Sequence, residues 1–165
     1  MAGTIIIAYG ANLTAPGVTT SQAFSGVVKA LEEKGVRVAR ASRLWRSQAW
    51  PNPDDPPYVN AVMIVETALP AAALLEMLHR IEHDFGRRRG TGVRNAPRTL
   101  DLDLIAYGEK VRATTPVLPH PRAHERGFVM GPLSEIAPDW THPALGRTAA
   151  ELYAAVTVGR DAQPV

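Results

Sequence analysis

From Leu100 to Tyr107 apolar and polar side chains alternate: Leu100, Leu102, Leu104 and Ala106 against Asp101, Asp103, Ile105 and Tyr107. Period two marks a β-strand, which sends successive side chains to opposite faces. Asp101 and Asp103 therefore share a face, their Cα atoms roughly 6.5–7 Å apart, while the leucines pack on the other. Asp is a poor strand former, and paired carboxylates repel unless a cation lies between them. Just upstream come Arg87, Arg88, Arg89, Arg94 and Arg98, with no acid among them. Carboxylates beside guanidinium groups suit hydrated Mg²⁺ and the oxygens of a polyphosphate. An Asp pair on a solvated face needs no function; the arginines and the Ala96-Pro97-Arg98 turn distinguish this one.

The rest of the chain builds a sheet around that strand. Residues 4–9 are a continuous apolar run suited to a central strand, ended by Gly10-Ala11-Asn12. Phe24, Val27, Val28 and Leu31 recur at helical spacing from Ser21 to Lys34, and Gly35 suits the cap. A second strand is expected over 36–46, a proline-rich loop over 50–57, and a third strand from Tyr58 to Thr67. Pro70 opens a helix to about Phe85, and Gly86 starts the arginine loop, Arg87 to Arg98. After the Asp strand a short hairpin is expected through Val111, then an extended loop over Pro116–Pro121. A helix follows from Phe128 to Ile136, broken by Pro132 and stopped by Pro138. The last elements are an amphipathic helix from Thr148 to Val156 and a frayed tail over 158–165.

The order β-α-β-β-α-β is the split βαβ of an α+β, ferredoxin-like core: an antiparallel sheet with helices packed on it. The chain of 165 residues suits one domain over 1–165, extended by a C-terminal hairpin and short helices. There is no cysteine, hence no disulfide framework or thiolate zinc site. The start lacks a basic n-region, and no apolar run nears the roughly 20 residues that span a bilayer. A cytoplasmic protein is expected. Net charge is only +2, so the positive charge is local to the arginine loop rather than global.

Neither a G-x-x-x-x-G-K-[ST] loop nor a G-x-G-x-x-G fingerprint is present, so a nucleotide would be gripped by side chains. Arginine suits this, because its planar fork bonds phosphate oxygens bidentately.

Ala96-Pro97-Arg98-Thr99-Leu100-Asp101-Leu102-Asp103-Leu104-Ile105 resembles the signature of the hydroxymethyldihydropterin pyrophosphokinases of folate biosynthesis. The resemblance extends to Ala8-Tyr9-Gly10-Ala11-Asn12, Tyr58-Val59-Asn60-Ala61, Arg80-Ile81-Glu82, Pro119-His120-Pro121-Arg122, Arg126-Gly127-Phe128 and Pro132-Leu133-Ser134-Glu135-Ile136-Ala137-Pro138. It implies the same ferredoxin-like core. It also implies transfer of the β,γ-pyrophosphoryl group of MgATP to the hydroxyl of 6-hydroxymethyl-7,8-dihydropterin, releasing AMP. By this resemblance Asp101 and Asp103 hold two Mg²⁺ ions. Arg87, Arg89, Arg98, His120 and Arg126 contact phosphates, Arg94 closes over the nucleotide, and Glu82 and Leu104 lie beside it. Tyr58 and Phe128 sandwich the pterin, whose edge Asn60 reads, with Asp101 nearby and Gly10 and Asn12 shaping the adjoining loop. A flat heteroaromatic takes offset stacking on its faces, and an amide reads its donor–acceptor edge. A monomer is expected, with these two small molecules as its partners and neither nucleic acid nor membrane.

The arginine loop departs from the family pattern, with Asn95 where many relatives carry Trp and with Gly90 and Gly92 adding freedom suited to a lid. Each residue has a plainer alternative. Tyr58 and Phe128 suit core packing, His120 a loop without partners, Glu82 an ion pair with Arg89. Trp45, Trp50 and Trp140 read as packing residues. The general base stays open between Asp103 and a metal-polarised hydroxyl. A competing reading is a ferredoxin-like RNA-binding module, which leaves the Asp pair unexplained because carboxylates repel phosphate. A two-metal nuclease would need a larger acidic cluster.

Overall fold

The computed structural model describes residues 3–11, 17–48, 54, 57–87 and 100–165. Its central strand, β1 (Ile5–Ala11), lies antiparallel between β4 (Tyr58–Glu66) and β5 (Asp101–Tyr107). Beyond β4 come β2 (Arg37–Ala41), paired along Met63–Glu66, and β3 (Trp45–Ser47), paired along Tyr58–Asn60. The strand expected over 36–46 is thus two strands. The ladder jogs at Ser42, whose hydroxyl accepts the Val62 N–H (3.0 Å) while its own N–H donates to the Val62 carbonyl (2.9 Å). No backbone group of Val62 is stranded at the break.

Two cores explain why β1 is apolar without alternation. Ile5, Ile7 and Tyr9 face α1 (Thr20–Glu33) and α2 (Ala71–Glu82), packing with Leu31, Leu74, Leu78 and Ile81. Ile6 and Ala8 face the opposite way, toward α3 (Gly127–Ile136) and α4 (Ala149–Ala154), with Val129, Met130, Leu133 and Leu152. A strand covered on both faces needs apolar side chains at every position. The α1/α2 side is the ferredoxin-like arrangement, and the C-terminal third of the chain covers the sheet's second face.

Local signals set the helix ends. Thr19 with Gln22, and Thr148 with Glu151, form reciprocal capping boxes at α1 and α4. A π turn, His83–Arg87, prolongs α2, so helical winding passes through Gly86 instead of ending there. Pro132 does not break α3. Val129, Met130 and Leu133 are buried, and that packing outweighs the one backbone bond that proline forgoes.

Three further expectations are corrected. A register shift between Ile6 and Ile7 sends both Ile105 and Ala106 into the α3 core and Tyr107 into the other, so alternation in β5 stops after Leu104. The hairpin expected after Gly108 is reduced to a single antiparallel bridge between Arg112 and Leu118. The tail is not frayed. Thr157 and Val158 donate N–H groups to the Glu125 carbonyl, Ala162 is buried, and β6 (Gln163–Pro164) pairs with β3.

Candidate active site

Cross-strand register assembles the site. Asp101 lies opposite Gly10, and Gly10 lies opposite Asn60 on its other side, forming one row across β5, β1 and β4. Asp103 lies opposite Ala8, which belongs to the α3 core. Directly opposed residues share a face, so Asp101, Asp103, Asn60 and Tyr58 all stand on the α3 side. With strands about 4.8 Å apart, Asn60 and Asp101 are separated by roughly 10 Å. Gly10 permits this row, because a Cβ there would lie 2.9 Å from Nδ2 of Asn60. The Oδ1 of Asn60 is buried and, among the described residues, has no hydrogen-bond partner. A buried acceptor left unpaired costs free energy unless a ligand N–H fills it.

Phe128 stands in the first turn of α3 on this same face, half-buried, with the Arg126 guanidinium carbon 5.8 Å from its ring centroid. His120 is anchored beside β5 by its N–H, which donates to the Ile105 carbonyl (2.8 Å). Its Nδ1 accepts the Arg122 N–H (3.1 Å), which puts the neutral ring's hydrogen on Nε2. Burial holds its pKa below the usual range; the Asp103 carboxylate opposes this, and Arg126, Arg122 and His124 reinforce it. His120, Arg126 and Asp103 thus feel one another's charge, and a neutral imidazole there offers one N–H donor.

Glu82 sits at the end of α2 and accepts the Leu102 N–H at 2.7 Å. As the edge strand of the described sheet, β5 needs partners for its outward backbone groups. Glu82 supplies one, between the two aspartates in sequence. Leu104 is 4% exposed in the α1/α2 core, so a nucleotide could reach only its main chain. Asn12, Arg89, Arg94 and Arg98 lie outside the described residues, as does the side chain of Arg87.

Two carboxylates one residue apart on a face fit Mg²⁺, which typically takes one or two protein carboxylates and completes its octahedron with water and substrate phosphates. Among the described residues no group of three or more His, Asp or Glu forms a fuller cage. A cleft of about 650 Å³ lies at the other end of the same sheet face, lined by Arg37, Arg40, Ile64, Glu66 and Trp140. From Asn60 to Glu66 is roughly 20 Å of strand. Its arginines are already engaged, Arg37 with Glu66 and Arg40 with the Ile136 carbonyl, so size there does not mark the chemistry.

The family model described as 7,8-dihydro-6-hydroxymethylpterin-pyrophosphokinase matches residues 6–138. The chain belongs to that family. A pyrophosphokinase for 2-amino-4-hydroxy-6-hydroxymethyldihydropteridine from Synechocystis is 42% identical over 119 residues, covering 72% of this chain and 60% of that protein. The enzyme of the same name from Pseudomonas aeruginosa is 35% identical over 152 residues, 92% of this chain and 90% of its own length. A solved Plasmodium falciparum HPPK-DHPS chain has a TM-score of 0.69 at 11% identity, covering 99% of this chain and 48% of that one. The chain therefore spans less than two thirds of the Synechocystis pyrophosphokinase and about half of the Plasmodium protein.

The contacts that brace this face depend on residues distant in sequence. Trp45 pairs with Asn60 in register, lies under Gly131 of α3, and donates its indole N–H to Glu135 (2.9 Å). Burial would raise the Glu135 pKa, but the Arg43 N–H, the Trp45 indole and the Arg43 guanidinium outweigh it and hold the carboxyl low. Arg43, just before β3, donates its N–H (2.8 Å) and guanidinium (3.2 Å) to Glu135 and so helps tie α3 to β3.

Proposed function

We propose that this protein transfers pyrophosphate from MgATP to the hydroxymethyl group of 6-hydroxymethyl-7,8-dihydropterin, giving the pterin diphosphate and AMP in folate biosynthesis. The observation that carries this reading is the row Asp101–Gly10–Asn60. It sets an acid pair beside an unpaired amide acceptor, on the sheet face that also bears Phe128.

Asn60 Oδ1 accepts from N–H groups along the pterin edge, and Tyr58 and Phe128 stack on the bicycle. Asp101, shared between the two subsites, faces the pterin's hydroxymethyl end. Asp101 and Asp103 hold two Mg²⁺ ions, which supply neutralisation of the triphosphate oxygens. His120 donates Nε2–H, and Arg126 its guanidinium, to phosphate oxygens; Arg87, Arg89, Arg94 and Arg98 would bind further phosphate oxygens, with Glu82 and Leu104 beside the nucleotide. The pterin hydroxyl oxygen bonds to the β-phosphorus and releases its proton, while the bond from that phosphorus to the α,β-bridging oxygen breaks and AMP departs with the oxygen. The protein contributes position and charge, which is what such a transfer asks of it. In this reading the chain acts as a single catalytic domain, monomeric and cytoplasmic; no helix among the described residues is long and apolar enough to cross a membrane.

The test is AMP release. Protein with MgATP and the hydroxymethyl dihydropterin should yield AMP and pterin diphosphate in equal amounts. AMP formed equally well without the pterin would overturn the assignment.

A further inference from the structure

The C-terminal segment after α4 touches both walls of the pterin subsite. At one end it is sewn to the start of α3. Gly127 donates its N–H to the Val158 carbonyl (2.7 Å), and Arg126 bridges to Val158. A Cβ on Gly127 would sit 2.4 Å from the Gly159 carbonyl oxygen, so the two backbones meet with no room for a side chain. At the other end Asp161 accepts the Gln48 N–H (2.7 Å), and β6 pairs with β3, whose Ser47 and Trp45 lie opposite Tyr58 and Asn60. Between these anchors Gly159 takes φ +68°, and a Cβ there would lie 2.5 Å from Cδ2 and 3.0 Å from Cε2 of Phe128.

We infer that Gly159 is a positioning residue for the pterin: by presenting bare backbone to the Phe128 ring, it sets the plane on which the ligand stacks. The inference rests on Phe128 being a pterin wall. Held by backbone bonds on both sides, the segment is the stiffer partner, whereas the ring turns about two side-chain torsions. A methyl group at 159 therefore displaces the ring. The strand side responds less, because β4 is fixed by its ladders with β1 and β2.

Gly146 supplies the control. Its φ is +69°, nearly that of Gly159, but a Cβ there meets nothing within 4 Å. Gly159→Ala and Gly146→Ala thus carry the same backbone strain, and only the first meets the ring. Affinity for 6-hydroxymethyl-7,8-dihydropterin, titrated with a non-hydrolysable MgATP analogue present, should fall roughly tenfold in Gly159→Ala, about the worth of a lost aromatic stack. It should stay unchanged in Gly146→Ala, with MgATP affinity and thermal midpoint alike in both. Asp161→Ala, which frees the segment from Gln48 without crowding the ring, should weaken pterin in the same direction. Equal pterin affinity in the two glycine variants, or parallel loss of pterin and MgATP binding in Gly159→Ala, overturns the inference. Should Gly159→Ala not fold, unchanged pterin affinity in Asp161→Ala does so. Phe128→Ala separates the two levels. Selective pterin loss there without loss in Gly159→Ala sinks only the Gly159 role, whereas unchanged pterin binding in Phe128→Ala removes the stacking assignment as well.

Discussion

The amide nitrogen of Asn60 occupies the space that a side chain on Gly10 would need, 2.9 Å from where its Cβ would stand. The two residues are register partners, and this contact lets the Asn60 amide lie toward β1 and, beyond it, Asp101. Gly10→Ala should therefore act through Asn60 rather than through backbone strain. Pterin affinity is expected to fall roughly tenfold, about one lost hydrogen bond. Thermal unfolding should move little. Fluorescence titration with the pterin checks this, and unchanged affinity would remove the amide from the recognition of that edge.

The aspartates divide metal chemistry from folding. Asp101→Asn and Asp103→Asn keep size and hydrogen-bonding capacity but lose charge. Each should reduce kcat about 10²–10³-fold, corresponding to about 3–4 kcal/mol of charge stabilisation. Stability without ligands should hold or rise slightly, since carboxylate repulsion on the shared face is relieved. Turnover and unfolding measured over a magnesium series decide it; a variant with wild-type magnesium dependence contradicts the ligand role.

Glu82 connects α2 to the Asp strand through the Leu102 N–H. Glu82→Ala leaves an edge N–H without this acceptor and should cost about 1–3 kcal/mol, several degrees in Tm for a chain of this size. Glu82→Gln keeps an acceptor oxygen and should recover most of that loss. If Glu82 acts mainly by aligning Asp101 and Asp103, both variants lower kcat in proportion to lost stability. A large rise in KM for MgATP in Glu82→Gln alone would instead mark direct nucleotide contact.

Acid should destabilise the fold before carboxylates titrate. His142 is 6% exposed, its Nδ1 accepting the N–H groups of Ala144 (3.2 Å) and Leu145 (3.1 Å). Burial first, and the neighbouring His124 second, push its pKa below the usual value; burial does the same to His120. The unfolded chain, with histidine pKa near 6.5, takes up protons that the folded chain resists. Stability should thus be full above about pH 6.5 and decline as pH falls toward the lowered folded values. His142→Asn keeps an acceptor for the Ala144–Leu145 turn and should flatten the decline in Tm between about pH 6.5 and 5. A wild-type Tm that is constant across that window refutes the prediction.

Much of this was legible in local pattern. Asp101 and Asp103 announce themselves because period two needs no knowledge of the partner strand, and Val27, Leu31, Leu74 and Leu78 because helical spacing is equally local. Pro132 and the tail misled for the opposite reason. A proline and a polar, glycine-containing end are poor local prospects, and their order comes from the packing of α3 at Gly131 against Trp45 and from the pairing of β6 with β3. The jog at Ser42 and the bulge at Ile105 were equally hidden, since each depends on which backbone groups of a distant strand still need partners.

Composition and spacing alone determined the split βαβ order, the acidic pair and the run of arginines before it. Tertiary structure decided what no spacing encodes: that Gly10 is the gap between Asp101 and Asn60, that Glu82 closes the edge of β5, and that Gly159 rests against Phe128. The physical reason is range. Side-chain direction along a strand or helix is set by torsions a few residues apart. Contact across strands and between chain ends is set by packing, which depends on the whole chain at once.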